Sequence, residues 1–254
     1  MQLNEGWGAV PEFLSPENPM PLYYQLKEIL LERIEKGEYA RTGKLPSERE
    51  LQEQFRVGRA TVRQAINELA KRGIVIPRQG KGVFIAPPKV EQGLLTFYSF
   101  TREMLKKGFK PGTEVLDFER VPAPPSIAQS LELPQDSAVV VRLVRLRLAN
   151  GEPLIYETSY LPDHLVPGLT VERVKARPLY DILTEDYGLN PTRAKESFEP
   201  VILDAREAKA LGVAKGAPAL LLERLAFAGN IPVEFCHELV RGDRCRFYVE
   251  LLQR

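Results

Sequence analysis

The stretch Val57-Gly58-Arg59-Ala60-Thr61-Val62-Arg63-Gln64, VGRATVRQ, places two arginines four residues apart at the start of a helical pattern. Val62, Ala65, Ile66 and Leu69 form an apolar stripe that runs out near Gly73, so the spacing predicts a helix from Arg59 to Arg72. With that stripe inward, Arg59, Arg63 and Gln64 share the opposite face, beside Ala60 and Asn67. Just upstream, GKLPSERELQEQF sets Ser47 and Glu50 three apart before Leu51 and Phe55, the spacing of a capping box that starts another helix. Earlier still, Leu22, Leu26, Ile29, Leu30 and Ile34 repeat at helical spacing up to Gly37. Downstream, IVIPRQGKGVFIA reads as two short β runs, Ile74 to Ile76 and Val83 to Ile85, around a turn holding Gly80 and Gly82. Three helices followed by a hairpin make a winged helix-turn-helix.

The charge pattern agrees with that reading. The 254-residue chain is 44% apolar and carries a net charge of only +1, so any basic footprint has to be local. Between Gln54 and Gly82 stand Arg56, Arg59, Arg63, Lys71, Arg72, Arg78 and Lys81 against the single acid Glu68, a local charge of +6. A guanidinium can take a guanine edge or a phosphate with two parallel hydrogen bonds, and a recognition helix offers its N-terminal residues to base edges in the major groove. Arg78-Gln79-Gly80-Lys81 at the hairpin tip can approach backbone or minor groove. Residues 1–18 lack periodicity and are expected to be a loose tail or docking arm. No apolar run approaches the ~18 residues that span a bilayer, and with two cysteines the expected setting is the cytoplasm, with no membrane partner.

The paired prolines of APPKVEQG, residues 86–93, suggest a linker between a head over 19–85 and a second domain over 94–254. That domain opens with a helical piece, Phe97 to Lys107. Strand patterns follow near Glu114 to Val121, Val139 to Leu148, Leu154 to Leu161, Ala194 to Leu203, Ala219 to Ala228, Val233 to Val240 and Arg244 to Leu252. Helical patterns fall near Pro125 to Leu131, Leu179 to Tyr187 and Ala205 to Leu211. Tight turns such as Asn150-Gly151 favour an antiparallel α+β domain.

LVRLRLANGEPLIYE resembles LERLAFAGNIPVEFC, which sets Arg145 on Arg224, Pro153 on Pro232, Arg147 on Ala226 and Glu157 on Cys236. Two copies of a helix-hairpin unit are expected, with a cleft between them. Arg147 and Glu157 occur in one copy only, so the shared architecture does not require them. Arg145 and Arg147 alternate along one strand and point to one face, where two guanidiniums can hold a phosphate, carboxylate or sulfate. Ion pairing with Glu157 and Glu152 is the plainer alternative.

The segment from PLYYQLKEIL to RQGKGVF resembles the winged-helix domain of the GntR family of bacterial transcription regulators. The remainder, with YSFTREMLKKG, RPLYDIL and ELVRGDRCRF, resembles the UTRA effector-binding domain of the HutC subfamily, which has a chorismate-lyase-like fold. The resemblance implies DNA contacts from Arg49, Arg59, Thr61, Arg63, Gln79 and Gly80. The family's usual hydroxyls are replaced by Gly58 and Ala60, which implies fewer phosphate contacts. It also associates Ser99, Arg145, Arg147, Glu157, Tyr180 and Glu234 with anionic effectors, phosphosugars among them. Pro178 and Val240 stand where related domains have serine and tyrosine. A homodimer on a palindromic double-stranded DNA operator is implied, its activity set by a small anionic effector.

Other chemistry finds little support. Cys236 and His237 are adjacent on a strand and face opposite ways, which disfavours a nucleophilic pair. No zinc spacing occurs, no metal or cofactor is expected, and Gly80-Lys81-Gly82 lacks the rest of a phosphate loop. Two rivals remain at this level: a chorismate-lyase-like enzyme with a DNA-binding head, which would need a proton relay, and an architectural DNA binder, which predicts no ligand. The expected protein is a regulator and not an enzyme.

Overall fold

The structure is a computed structural model that describes residues 14–86, 89–93, 99–134 and 138–251. The described residues fall into two compact units, divided between residues 88 and 89.

In the first unit, α1 (Leu22–Glu35), α2 (Glu48–Phe55) and α3 (Arg59–Lys71) pack around Leu26, Leu30, Leu51, Val62, Ala65 and Leu69. The capping box forms as the sequence predicts: Ser47 N donates to Glu50 Oε2 at 2.7 Å, and Glu50 N donates to Ser47 Oγ at 3.3 Å. Gly58 caps α3 with extended backbone and no side-chain bond. The wing is β1 (Val75–Arg78) paired antiparallel with β2 (Gly82–Ile85). Its turn needs glycine, since Gly80 and Gly82 have φ of 71° and 101°. The end of the expected loose tail is held in place. Leu14 packs on the core, and the buried Gln25 side chain bonds Ser15 N, Ser15 O and Met20 O at 2.7–3.0 Å. Residues 1–13 lie outside the described residues.

The second unit contains β3 (Val90–Gly93), α4 (Phe100–Lys106), β4 (Pro111–Pro122), α5 (Pro125–Ser130), β5 (Val139–Ala149) and β6 (Glu152–Pro162). It continues through α6 (Val171–Ala176), α7 (Leu179–Tyr187), β7 (Arg193–Ile202), α8 (Ala205–Leu211), β8 (Pro218–Ala228), β9 (Ile231–Arg241) and β10 (Cys245–Tyr248). Two expectations are corrected. Residues 90–93 of the expected linker form a strand, and it pairs parallel with β10, an exception to the antiparallel pattern. Four residues are too few to show a period, and the partner lies at the far end of the chain. The helix α6 was not expected, because six residues give one apolar anchor, Val174. Of the helical piece expected from Phe97, Phe100–Lys106 is helix, and residues 97 and 98 lie outside the described residues.

The main sheet has six antiparallel strands in the order β4-β5-β6-β9-β8-β7. This order makes the repeat visible in space, as β4-α5-β5-β6 and β7-α8-β8-β9 meet at the β6–β9 ladder. The central pair is Thr158↔His237, flanked by Glu157↔Glu238 and Ser159↔Cys236. Since Glu157 matches Cys236 and Ser159 matches Glu238 between copies, the flanking pairs exchange on swapping copies, as a local two-fold axis requires.

Strand alternation then sorts the two faces. Leu146, Leu148, Tyr156 and Leu239 pack under α8, and Val140, Tyr160, Leu225 and Phe235 under α5. On the opposite face Val141, Leu143 and Leu161 pack against α6 and α7. Arg145, Arg147 and Glu157 share that second face.

Candidate functional site

In the head, the side chains expected at DNA sit outside the core. Arg49, Arg59, Arg63, Gln64, Arg78, Gln79, Gly80 and Lys81 are exposed, and Thr61 is half-buried. The sequence reading missed Glu48. Its carboxylate accepts from Arg59 Nε at 3.2 Å and lies 3.8 Å from Arg63 Nε. One acid on α2 therefore gathers both arginines of α3. Arg49 pairs with Glu53 at 3.0 Å, and the Arg78 guanidinium lies 4.9 Å from the centre of the Phe84 ring, which supports it on the wing.

The second unit buries a cluster of charges. Arg145, Arg147, Glu157, Arg224, Glu234 and Glu238 are all at most 6% exposed, and they line one cavity together with Ser99, Phe100, Pro178, Leu179, Tyr180 and Cys236. The structure brings together all six expected effector residues: Ser99, Arg145, Arg147, Glu157, Tyr180 and Glu234. Ser99 and Pro178 precede the first turns of α4 and α7, so two helix starts border the space.

Within it, Arg145 Nη2 donates to Glu157 Oε1 and lies 3.4 Å from Ser159 Oγ, while that hydroxyl donates to Glu157 at 3.2 Å. Tyr180 OH donates to Glu234 Oε2 at 2.7 Å. Arg224 Nε donates to Glu196 Oε1 at 2.6 Å. Arg147 is placed differently. Its Nη2 donates to Thr101 Oγ1 at 3.1 Å, its guanidinium sits 4.8 Å from the centre of the Phe100 ring, and among the described residues no carboxylate lies within ion-pair distance. The Nε atoms of Arg145 and Arg147 are buried without a hydrogen-bond partner. Both arginines also line an adjoining recess of about 490 Å³ with Thr101, Thr113, Lys175 and Arg177.

The electrostatics follow from burial and neighbours. Burial, with Arg145 alongside, pulls Arg147 below the usual guanidinium value. Burial alone would raise Glu157, but Arg145 and Arg147 outweigh it and hold that carboxyl below its usual range. Burial pushes Glu238 up to about 7, with Glu157 and Glu234 adding to the shift and Arg224 opposing it. Burial and Glu234 push the Cys236 thiol well up, which removes the thiolate that nucleophilic chemistry needs.

Two expectations change. Glu152, considered as a partner for the arginine pair, instead holds Arg241 at 3.1 Å and Arg244 at 2.9 Å. Arg224 and Glu238 join the cavity although the sequence reading did not select them. The repeat matches Arg224 to Arg145, so Arg224 is common to both copies and does not stand out in the sequence as Arg147 and Glu157 do. Among the described residues no group of three His, Cys, Asp or Glu side chains is placed to hold a metal, and no helix is long and apolar enough to cross a membrane.

Comparison with known proteins places this architecture. Residues 22–85 match the bacterial regulatory proteins of the gntR family, and residues 106–246 match the UTRA domain. The chain is 35% identical over 235 residues to the HTH-type transcriptional repressor NagR of Bacillus subtilis, covering 92% of this chain and 96% of that protein. It is 27% identical to the histidine utilization repressor of Pseudomonas aeruginosa, covering 91% of each. The crystal structure of PhnF from Mycobacterium smegmatis superposes with a TM-score of 0.60 at 32% identity, covering 84% of this chain and 93% of that one. These relatives are regulators, and none of these names supports the enzyme reading. The chain belongs to the gntR family of bacterial transcription regulators, with a DNA-binding winged helix followed here by a UTRA effector-binding domain.

Proposed function

We propose that the protein is a metabolite-responsive repressor that binds a palindromic operator as a homodimer in the cytoplasm and is modulated by a small anionic effector, a phosphosugar or a carboxylate. The observation that carries the effector class is Arg147, a buried cation without a carboxylate in reach among the described residues, facing a cavity beside Arg145. A buried charge is costly until it is paired, and a phosphate or carboxylate pairs both guanidiniums with two parallel hydrogen bonds each. Ser99, Glu157, Tyr180 and Glu234 border the same space and would orient the rest of the molecule.

On the head, Arg59, Arg63, Gln64 and Thr61 would enter the major groove, with Arg49 on phosphates. Arg78, Gln79, Gly80 and Lys81 on the wing would follow the backbone or minor groove. In a dimer, two recognition helices about 34 Å apart reach successive turns of the operator. Effector binding would alter their spacing through the chain joining the two units. A coupling of about 1–3 kcal/mol changes affinity by roughly 5- to 150-fold. The repressors named among the relatives support the sign of regulation.

The test is a thermal-shift screen of phosphosugars and small carboxylates, with each hit followed for operator release and for turnover. A compound that raises the melting temperature and releases operator without being consumed is the expected result. Unchanged operator affinity under a saturating hit overturns the coupling, and turnover overturns the sensor reading.

A further inference from the structure

The cavity has a second, loosely paired charge, opposite in sign to Arg147. Glu238 is 5% exposed and stands directly across the β6–β9 ladder from Glu157, with Glu234 farther along its own strand. Like charges placed directly opposite in a ladder repel. Glu157 and Glu234 each accept a close hydrogen bond, from Arg145 and Tyr180. Glu238 does not share that support: the Arg224 guanidinium and the Cys236 thiol both lie 3.7 Å from its Oε1, beyond the 2.7–2.9 Å typical of a charge-assisted bond. The short bond of Arg224 goes to Glu196 instead. The first copy of the repeat has Ser159 at the matching position, so the shared architecture does not call for a carboxylate there.

Resting on the anionic-effector reading above, we propose that the cavity takes a zwitterion, its anionic head on Arg147 and Arg145 and a protonated amine on Glu238. Glu238 is then the residue that selects amine-bearing effectors. The strands β5 and β9 are separated by β6 alone, so the two poles lie about 10 Å apart at the backbone, and their side chains converge on one space. An ammonium supplies Glu238 with the close cationic partner that Arg224, at 3.7 Å, does not, as the anion supplies the negative charge missing at Arg147. A neutral hydroxyl does neither. The charged and titratable groups around Glu238 are Arg224, Arg147, Glu157, Glu234, Glu196 and Cys236; burial is the main cause of the rise of its carboxyl to about 7, with Glu157, Glu234 and Glu196 adding to it and Arg224 opposing it.

The probes are ethyl and butyl phosphate and their terminal-amino counterparts, 2-aminoethyl and 4-aminobutyl phosphate, titrated calorimetrically into the full chain. Wild type should bind an amino phosphate about tenfold more tightly than its plain partner, in line with a hydrogen bond between charged groups. Glu238→Gln, and Glu238→Ser with the first copy's side chain, should each bind plain and amino forms alike, near the wild-type affinity for the plain form. Melting curves of both variants establish that they are folded. Equal binding of plain and amino phosphates by wild type overturns the zwitterion while the anion reading stands, as does an amine preference that survives in the folded variants. If no phosphate binds, the zwitterion with a phosphate head falls; if Arg147→Ala leaves binding unchanged, the anion reading falls and the zwitterion with it.

Discussion

The two units use the same residue types in opposite settings. On the head, the side chains of Arg59 and Arg63 are 71% and 61% exposed around Glu48. In the sheet, those of Arg145 and Glu157 are 4% and 8% exposed and held together. Exposed pairs are screened and worth little, so the head arginines can leave Glu48 for phosphates or bases at small cost. Buried pairs hold one another in place, because removing one partner strands the other away from water. Only Arg147 combines burial with the lack of a carboxylate partner among the described residues, which is why it marks the ligand side of the cavity.

The comparison can be tested by breaking each side in turn. Glu157→Ala, which strands Arg145, should cost about 3–5 kcal/mol of stability, read from denaturant melts. A cost below 1 kcal/mol would show that the buried pair behaves like a surface pair. On the head, Arg59→Ala and Arg63→Ala should each weaken operator binding by about 1–3 kcal/mol and relax sequence preference, with melting unchanged. Gel shifts at wild-type affinity for both would return them to ordinary solvated surface.

Glu238→Gln tests the electrostatics through pH. The Glu238 carboxyl lies at about 7 in the folded protein against a reference value of 4.5, so the folded state holds this proton more tightly. Its contribution to stability therefore falls as pH rises from 4.5 to about 7 and then levels off. The Gln variant should be more stable than wild type by roughly 1–3 kcal/mol above that window, and the gap should close as pH falls through it. Melts at a series of pH values read this, and a gap independent of pH would contradict it. The smallest effect is expected from Glu48→Gln, less than about 1 kcal/mol in stability. It should also raise affinity for non-specific DNA, since the variant no longer neutralises the recognition arginines.

The head was legible residue by residue because its determinants are local. A capping box spans three residues, a helical stripe spans two turns, and a glycine turn spans four residues. The Asn150-Gly151 turn was legible for the same reason, since both residues take positive φ, 52° and 81°, as a tight hairpin asks. The short strand β3 and helix α6 escaped notice because neither is long enough to show a period.

The amino-acid sequence alone determined the winged helix, the duplicated hairpin unit and the facing of Arg145 and Arg147, since each depends on spacing within a few residues or on comparing two segments. The pairing of β6 with β9 decided the rest. It joins residues far apart in the chain, brings Glu238 across from Glu157 and places Arg224 in the same cavity. Which charges become buried, and which are left without an opposite charge, depends on desolvation and on neighbours across that ladder, and both exist only once the sheet has closed.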